Sequence, residues 1–217
     1  MLARRVSRRL AILAIAAPLA ACGSSSASST GMTSAVRPAA CGPRSARTLA
    51  SSGRARVYAV NEMVYGCAVG RHKVFRLGAL RPCLSAPCVG RVRVAGTYAA
   101  YTSVHHGVDT AVSDVIVRRL TDGKTLTHDT ATIKPLGPES FQTVASLVLK
   151  KDGAVAWIGS AASIVKRSSK DIEVLRHDRA GRKLLDSSPA INPASLRLAG
   201  SRLRWIAGGV RRSARLS

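Results

Sequence analysis

The stretch KKDGAVAWIGS (Lys150–Ser160) joins an Asp-Gly pair to a short apolar segment that contains Trp-Ile. Glycine adopts the positive φ that a tight hairpin needs, so the stretch predicts a turn followed by a β-strand. A similar stretch, LAGSRLRWIAGG (Leu198–Gly209), places its tryptophan 48 residues after the first. Two such stretches in one chain indicate a repeated β unit.

The same order of strand, turn and aromatic-ended strand recurs along the chain. Four stretches show it, at 57–65, 92–101, 147–157 and 196–205. The two inner units also share a second half, in which an Asp-initiated strand leads through a glycine turn to a leucine, as in Asp114, Gly123, Leu126 and Asp171, Gly181, Leu184. Each unit is therefore predicted to be a meander of three or four strands, with its aromatic side chain packed between neighbouring units and its aspartate in a structural hydrogen-bonding role.

Alternation of apolar and charged residues supports strands in preference to helices. Val92 and Val94 alternate with Arg91 and Arg93, and the segment 202–205 alternates in the same way. Tight-turn glycines separate such segments, at Gly123, Gly153, Gly181 and Gly200. This pattern predicts an all-β domain whose strands are half buried.

Three segments together resemble a blade of the TolB-type β-propeller family: KDGAVAW (Lys151–Trp157), DIEVL (Asp171–Leu175) and AGRKLL (Ala180–Leu185). The Ser-Pro that usually precedes the Asp-Gly of that family is missing here. The resemblance implies radial blades, an exported location, binding at a rim and no catalytic residue. Propellers have about four to eight blades, so we expect a small or incomplete propeller of three to four modules, with a β-sandwich as the alternative.

The first forty residues predict export and attachment to a membrane. Four arginines precede the apolar run Leu10–Ala21, which is too short for a membrane-spanning helix and predicts a signal peptide over 1–21. The run ends in LAAC, which resembles the lipobox of bacterial lipoproteins and implies lipid attachment at Cys22. Residues 22–40 are rich in Ser, Thr and Ala and predict a disordered tether. The β-repeat domain is expected over 41–217.

Four further cysteines lie in the expected domain, and an exported protein would hold them as disulfides. The short loop between Cys83 and Cys88 favours that local pairing, which leaves Cys41 for Cys67. A structural zinc site is the alternative, although the spacing of these cysteines lacks the paired knuckles of a zinc ribbon.

Positive charge is the feature of the sequence that predicts what kind of partner the protein binds. The chain has 34 Lys and Arg against 11 Asp and Glu, a formal net charge of +23. The excess is concentrated at 41–100 and 197–217, and the last segment holds six arginines and no acid. Arg202, Arg204, Arg211 and Arg212 are predicted to contact an anionic partner, either a membrane or a wall polymer, or else an envelope protein. Nucleic acid is not an expected physiological partner of an exported chain. The alternative is that these arginines are merely solvent-exposed residues on strand faces and bind no partner.

Motifs of enzymes are scarce. The sequence lacks the nucleophile elbow G-x-S-x-G, the zinc motif H-E-x-x-H, and the phosphate-cradling and dinucleotide fingerprints. We therefore expect no catalysis, no cofactor and no metal, and predict a binding or scaffold module of the cell envelope. Two alternatives remain open. One is a structural assembly protein that pairs through blade edges, and the other is a metal-assisted hydrolase that uses His105, His106 and Asp109.

Overall fold

Fifteen β-strands form the regular structure of the protein in a computed structural model that describes residues 41–81, 87–133, 140–163 and 171–217. These residues contain no helix. The strands are β1 (Arg47–Ser51), β2 (Ala55–Val60), β3 (Met63–Ala68), β4 (Val74–Ala79), β5 (Cys88–Ala95), β6 (Tyr98–His106), β7 (Ala111–Arg119), β8 (Thr125–Thr130), β9 (Ser140–Leu149), β10 (Val155–Ser163), β11 (Asp171–Asp178), β12 (Gly181–Ser187), β13 (Arg197–Ala199), β14 (Arg202–Ala207) and β15 (Val210–Arg215). The predicted all-β class is confirmed.

The strands group into four antiparallel meanders in chain order. Meanders 1, 2 and 3 have four strands each, β1–β4, β5–β8 and β9–β12, and meander 4 has three, β13–β15. Single parallel pairs, Ala79 with Cys88 and Ala111 with Phe141, join the first three meanders into one mixed sheet of twelve strands. Meander 4 is a separate sheet, and no described residue closes the twelve-stranded sheet on itself.

Tight turns join strands of meanders 2, 3 and 4 at the predicted glycines. Gly123, Gly153, Gly181 and Gly200 have φ values of 79°, 93°, 85° and 59°. Residues with a Cβ rarely adopt this conformation, which explains why glycine occupies these turns. The Asp-Gly and Ala-Gly pairs of the sequence therefore predicted the hairpins correctly.

Successive meanders pack face to face and bury an apolar core between each pair. Val57 and Tyr101 lie in the core between meanders 1 and 2, and Val115 and Trp157 lie in the core between meanders 2 and 3. Ile158 and Trp205 lie in the core between meanders 3 and 4. Meanders 2 and 3 are thus covered on both faces, whereas meanders 1 and 4 each have a face with no neighbouring meander among the described residues.

Three of the four repeated aromatics lie where the repeat predicts. Tyr101, Trp157 and Trp205 stand on the second strand of their meanders and are 2%, 0% and 3% exposed. Tyr65 does not follow this pattern, because it lies on the third strand of meander 1 and stacks on Tyr58 at the uncovered face. The repeat was wrong by one strand in meander 1, because the stretch 57–65 falls on the second and third strands there and on the first and second strands in the other meanders.

The expected signal peptide (1–21) and tether (22–40), with Cys22 between them, lie outside the described residues, as does Cys83. No helix in the part of the chain that is described has the length and apolar character needed to cross a membrane.

Candidate functional site

An arginine-rich surface forms on the outer face of meander 4. Along β14, Leu203 and Trp205 are buried against meander 3, so the alternating residues Arg202 and Arg204 point the other way and are exposed. Directly paired residues of antiparallel strands lie on the same face of a sheet. Register therefore adds three arginines from the flanking strands, since Arg197 pairs with Arg204, Arg215 with Arg202, and Arg211 with Ile206.

We call this surface the arginine face and define it by Arg197, Arg202, Arg204, Arg211 and Arg215, all of which are exposed. None of the five forms a salt bridge with a described carboxylate. Two of its cross-strand pairs place arginine opposite arginine. Like charges directly opposite one another destabilise a sheet, so this arrangement contributes nothing favourable to the fold of the free protein.

Arg212 does not belong to the arginine face. It pairs with Trp205 and so lies on the opposite side of meander 4, where its Nη1 donates to Asp186 Oδ1 at 2.7 Å. Trp205 Nε1 donates to the other oxygen of the same carboxylate at 2.6 Å. The sequence grouped Arg212 with Arg202, Arg204 and Arg211, and the structure separates it because neighbours along a strand alternate between faces.

A second basic feature, which we call the groove, lies where the first strands of meanders 2, 3 and 4 run beside one another. It has a volume of about 650 Å³ and is lined by β5, by residues 145–149 of β9, and by residues around β13. Arg91, Arg93 and Arg197 line it, and none of the described lining residues is acidic. Arg197 belongs to both the groove and the arginine face.

Main-chain carbonyl groups hold the arginines of the groove. Arg91 Nε donates to Val144 O at 2.8 Å, and Arg93 Nε donates to Leu147 O at 3.2 Å, which ties β5 to β9. Arg197 Nη1 donates to the carbonyl oxygens of Ala194 and Leu196, both at 2.8 Å. Sequence reasoning predicted that Arg91 and Arg93 are exposed strand residues of a basic N-terminal module that contacts an anionic surface. It did not predict the groove, because the groove combines residues about fifty positions apart.

The residues of the hydrolase alternative do not assemble into a metal site. His105 and His106 are the last residues of β6, and among the residues that the structure describes no group of three or more His, Cys, Asp or Glu side chains could hold a metal ion. His105 Nε2 instead lies 3.5 Å from Asp114 Oδ2, and His128 Nε2 lies 3.0 Å from the same oxygen. Asp114 lies on β7 and is 9% exposed. Its carboxylate lies between His105 of β6 and His128 of β8, and so connects the three strands.

The cysteines form disulfides as far as they are described. Cys41 and Cys67 are bonded to each other, with Cα atoms 5.6 Å apart, as predicted. Cys88 is also disulfide-bonded, while the pairing with Cys83 stays a prediction because that residue lies outside the described ranges. Disulfides are typical of oxidising compartments and fit an exported protein.

One face of meander 1 has no neighbouring meander among the described residues and is covered by residues 41–46 instead, which the Cys41–Cys67 disulfide holds in place. The disulfide lies beside Tyr58, whose ring centroid is 5.2 Å from the Arg56 guanidinium carbon. Arg56 also donates to the carbonyl oxygens of Pro43 and Ala46, at 3.0 and 2.5 Å. Burial raises the pKa of the Tyr58 hydroxyl, although the charge of Arg56 opposes this. The two ends of the stack therefore differ, since one is covered by residues 41–46 and the other presents five exposed arginines.

Comparisons with known proteins assign neither a family nor an activity. No protein-family model and no curated protein matches the chain. Among solved structures, the chain is similar to the extracellular domain of the putative one-component system BT4673 from B. thetaiotaomicron, with 11% identity and a TM-score of 0.29. The match covers 77% of this chain and 26% of that chain, so the chain spans about a quarter of that protein domain.

Proposed function

We propose that this protein is an exported, lipid-anchored binding module of the cell envelope that contacts an anionic surface through the arginine face. The observation that carries the proposal is the grouping of five exposed arginines on one face of meander 4, none of which forms a salt bridge with a described carboxylate. A sheet that places arginine opposite arginine gains free energy when an anion comes between the side chains. The predicted lipid at Cys22 would hold this face near membrane head groups and wall polymers.

The same proposal includes the arrangement of the meanders as an incomplete β-propeller. Three features support it: the order of four successive meanders, the apolar core between each neighbouring pair, and the side-by-side course of β1, β5, β9 and β13. In an incomplete ring the outer face of the last blade stays free for a partner. A β-sandwich arrangement of the same strands remains the alternative.

Binding to anionic surfaces at two salt concentrations tests the function. The protein is the full mature chain, from residue 22 onwards, with Cys22→Ser, which removes the predicted lipid and signal peptide so that only contacts of the mature protein are measured. We expect co-sedimentation with phosphatidylglycerol vesicles or with anionic wall polymer, but not with phosphatidylcholine vesicles, and release at high salt. Phosphatidylglycerol and the wall polymer are separate arms, so the result also says which surface is bound.

A triple substitution, Arg202→Ser, Arg204→Ser and Arg211→Ser, should abolish this binding. The matched control removes the same charge from the other end of the stack, with Arg44→Ser, Arg54→Ser and Arg71→Ser, whose side chains are also exposed. Equal loss in both variants would mean that net charge alone matters. Equal retention in both would leave the arginine face as a solvated surface and would overturn the proposal.

A further inference from the structure

The groove offers a more selective contact than the arginine face. Its three arginines come from two strands, β5 and β13, that lie on either side of β9. Each guanidinium is oriented by at least one main-chain carbonyl group, at distances of 2.8 to 3.2 Å. Arginines held in this way lose little side-chain entropy when an anion binds, because their geometry is already set.

The hydrogen bonds to carbonyl groups leave donors unused. Arg91 uses only its Nε among the described contacts, so both of its terminal amino groups stay available. Arg93 uses Nε and Nη1, and Arg197 uses Nη1 alone. The remaining N–H groups of three guanidiniums form a larger donor set than one carboxylate, with its two oxygens, can accept in full.

We propose that the groove binds a phosphoryl group together with the small organic unit that carries it. The inference deepens the proposed function and rests on it for the source of that group, a terminal phosphate monoester on a lipid head group or on a polymer chain. A phosphate monoester carries about −1.5 to −2 charge and three acceptor oxygens, which matches three arginines without a neighbouring acid.

The rest of the groove suits the organic unit. Val94, Leu149 and Leu198 contribute half-buried apolar side chains, and Ser146 lies on the β9 wall. A volume of about 650 Å³ falls within the range of small-molecule sites, which is roughly 300 to 1,000 Å³. A lone inorganic anion would leave much of this space to water, so we expect an organic phosphate to bind better than inorganic phosphate.

Calorimetry with small anions tests the groove independently of any surface. The full mature chain with Cys22→Ser is titrated with sn-glycerol 3-phosphate, inorganic phosphate and glycerate, the last being a carboxylate of similar size. We expect saturable binding of glycerol 3-phosphate, about tenfold or more weaker binding of glycerate, and intermediate binding of inorganic phosphate. Absence of glycerol 3-phosphate binding, or equal binding of glycerate, would overturn the inference.

Variants locate the binding. Arg91→Gln with Arg93→Gln keeps an amide donor for the β9 carbonyls but removes two charges, and should weaken glycerol 3-phosphate binding at least about tenfold. Arg197→Gln should do the same if the first variant does not fold, because Arg197 donates only to carbonyl groups of its own segment, those of Ala194 and Leu196, among the described residues. The control is the triple variant at Arg44, Arg54 and Arg71, which are exposed and do not line the groove, and it should retain phosphate affinity. Unchanged affinity in a folded groove variant refutes the site.

The two proposals fail in different ways. If the parent binds glycerol 3-phosphate but no anionic surface, the groove stands and the arginine face does not. If it binds the surfaces but no small phosphate, the arginine face stands and the groove does not. Competition separates the sources of the phosphoryl group, because glycerol 3-phosphate should release the protein from phosphatidic acid vesicles only if the phosphate monoester of the lipid occupies the groove.

Discussion

Trp157 shows at the scale of one residue how two meanders are joined. Its side chain is fully buried between meanders 2 and 3, and its Nε1 donates to Ala131 O at 2.9 Å. The same carbonyl group lies against Gly159, two residues further along β10. The sequence predicted a buried tryptophan here, but nothing local to it indicates that the next glycine is required by a carbonyl group from another meander.

Gly159→Ala should therefore destabilise the protein strongly. A Cβ at this position would collide with the main chain of Ala131, which is less free to move than a flexible side chain. We expect a loss of about 1–3 kcal/mol in the free energy of unfolding, measured by urea denaturation. Gly53→Ala is the control, because no atom lies within 4 Å of the added methyl group, and its effect should stay within about 0.5 kcal/mol. Similar midpoints for both variants would contradict the role given to Gly159.

Asp152 is the residue from which a dependence on pH is expected. Burial raises its pKa, but hydrogen bonds from Lys150 and from the N–H of Ala154, with the charge of Lys150, lower the pKa by more. Lys150 Nζ lies 3.0 Å from Asp152 Oδ2 and also donates to Leu216 O at 3.1 Å, so the pair links a turn of meander 3 to the end of the described chain.

A depressed pKa in the folded state gives stability that is present above the unfolded pKa, about 3.9, and is lost as pH falls through the lower folded value. Asp152→Asn should remove this contribution, so the parent and the variant should differ at pH 7 and converge near pH 2. Solvent screening keeps the difference below about 1 kcal/mol, since the side chain is 36% exposed. Thermal unfolding across this pH range checks it, and a constant difference would assign the effect to packing.

The strands differ in burial according to the position of their meander in the stack. β10 lies in meander 3, and six consecutive residues of it, Val155–Ser160, are buried because both of its faces are covered. β14 lies in the last meander and alternates between exposed and buried residues. The alternation in the sequence at 202–205 was therefore a correct sign of a half-buried strand, while the continuous apolar run of β10 marks an interior one.

The Cys41–Cys67 disulfide stabilises the first element of the stack. It ties residues 41–46 to β3 and closes a loop with a sequence separation of 26 residues. Replacing both cysteines by serine should lower the free energy of unfolding by about 3 kcal/mol, chiefly because the unfolded chain is less constrained. Urea denaturation without reductant measures this, and an unchanged midpoint would show that the face closes without the bond. Peptide mapping of the non-reduced protein tests the predicted pairing of Cys83 with Cys88.

Among the described residues, the four meanders form a stack whose two end faces differ. The cores between meanders account for its cohesion, and its two end faces carry a disulfide-closed aromatic cluster and the arginine face. The two ends differ in how their arginines are arranged, since those of the arginine face lie on one face of a sheet, whereas Arg44, Arg54 and Arg71 at the other end lie in turns and loops.

Cys22→Ser tests the anchor at this scale. The parent should be recovered in the membrane fraction of the producing cells, because acyl chains add about 0.8 kcal/mol of membrane affinity per buried CH₂. Its mature N-terminus should also carry the mass of a diacylglyceryl group. The variant should shift to the soluble extracytoplasmic fraction. An unmodified Cys22 in the mature parent, seen by mass spectrometry, would rule out the lipid anchor.

Local chemistry determined what the sequence could tell about this protein. Strand alternation, glycine turns and recurring aromatics are properties of neighbouring residues, so the all-β class, the hairpins and the buried Tyr101, Trp157 and Trp205 followed from the sequence alone. The strand position of Tyr65 did not follow, because the repeat in meander 1 begins one strand later than in the others.

Only the tertiary structure decided which charged residues lie on the same face. The sequence grouped Arg212 with Arg202, Arg204 and Arg211. The register of β13 and β15 instead places Arg197 and Arg215 on the face of those three arginines and Arg212 on the opposite face. The groove likewise required β5 to lie beside β9 and β9 beside β13. Pairing between distant strands sets the face on which each side chain lies, and a shift of one residue reverses it, so no local pattern could determine these sites.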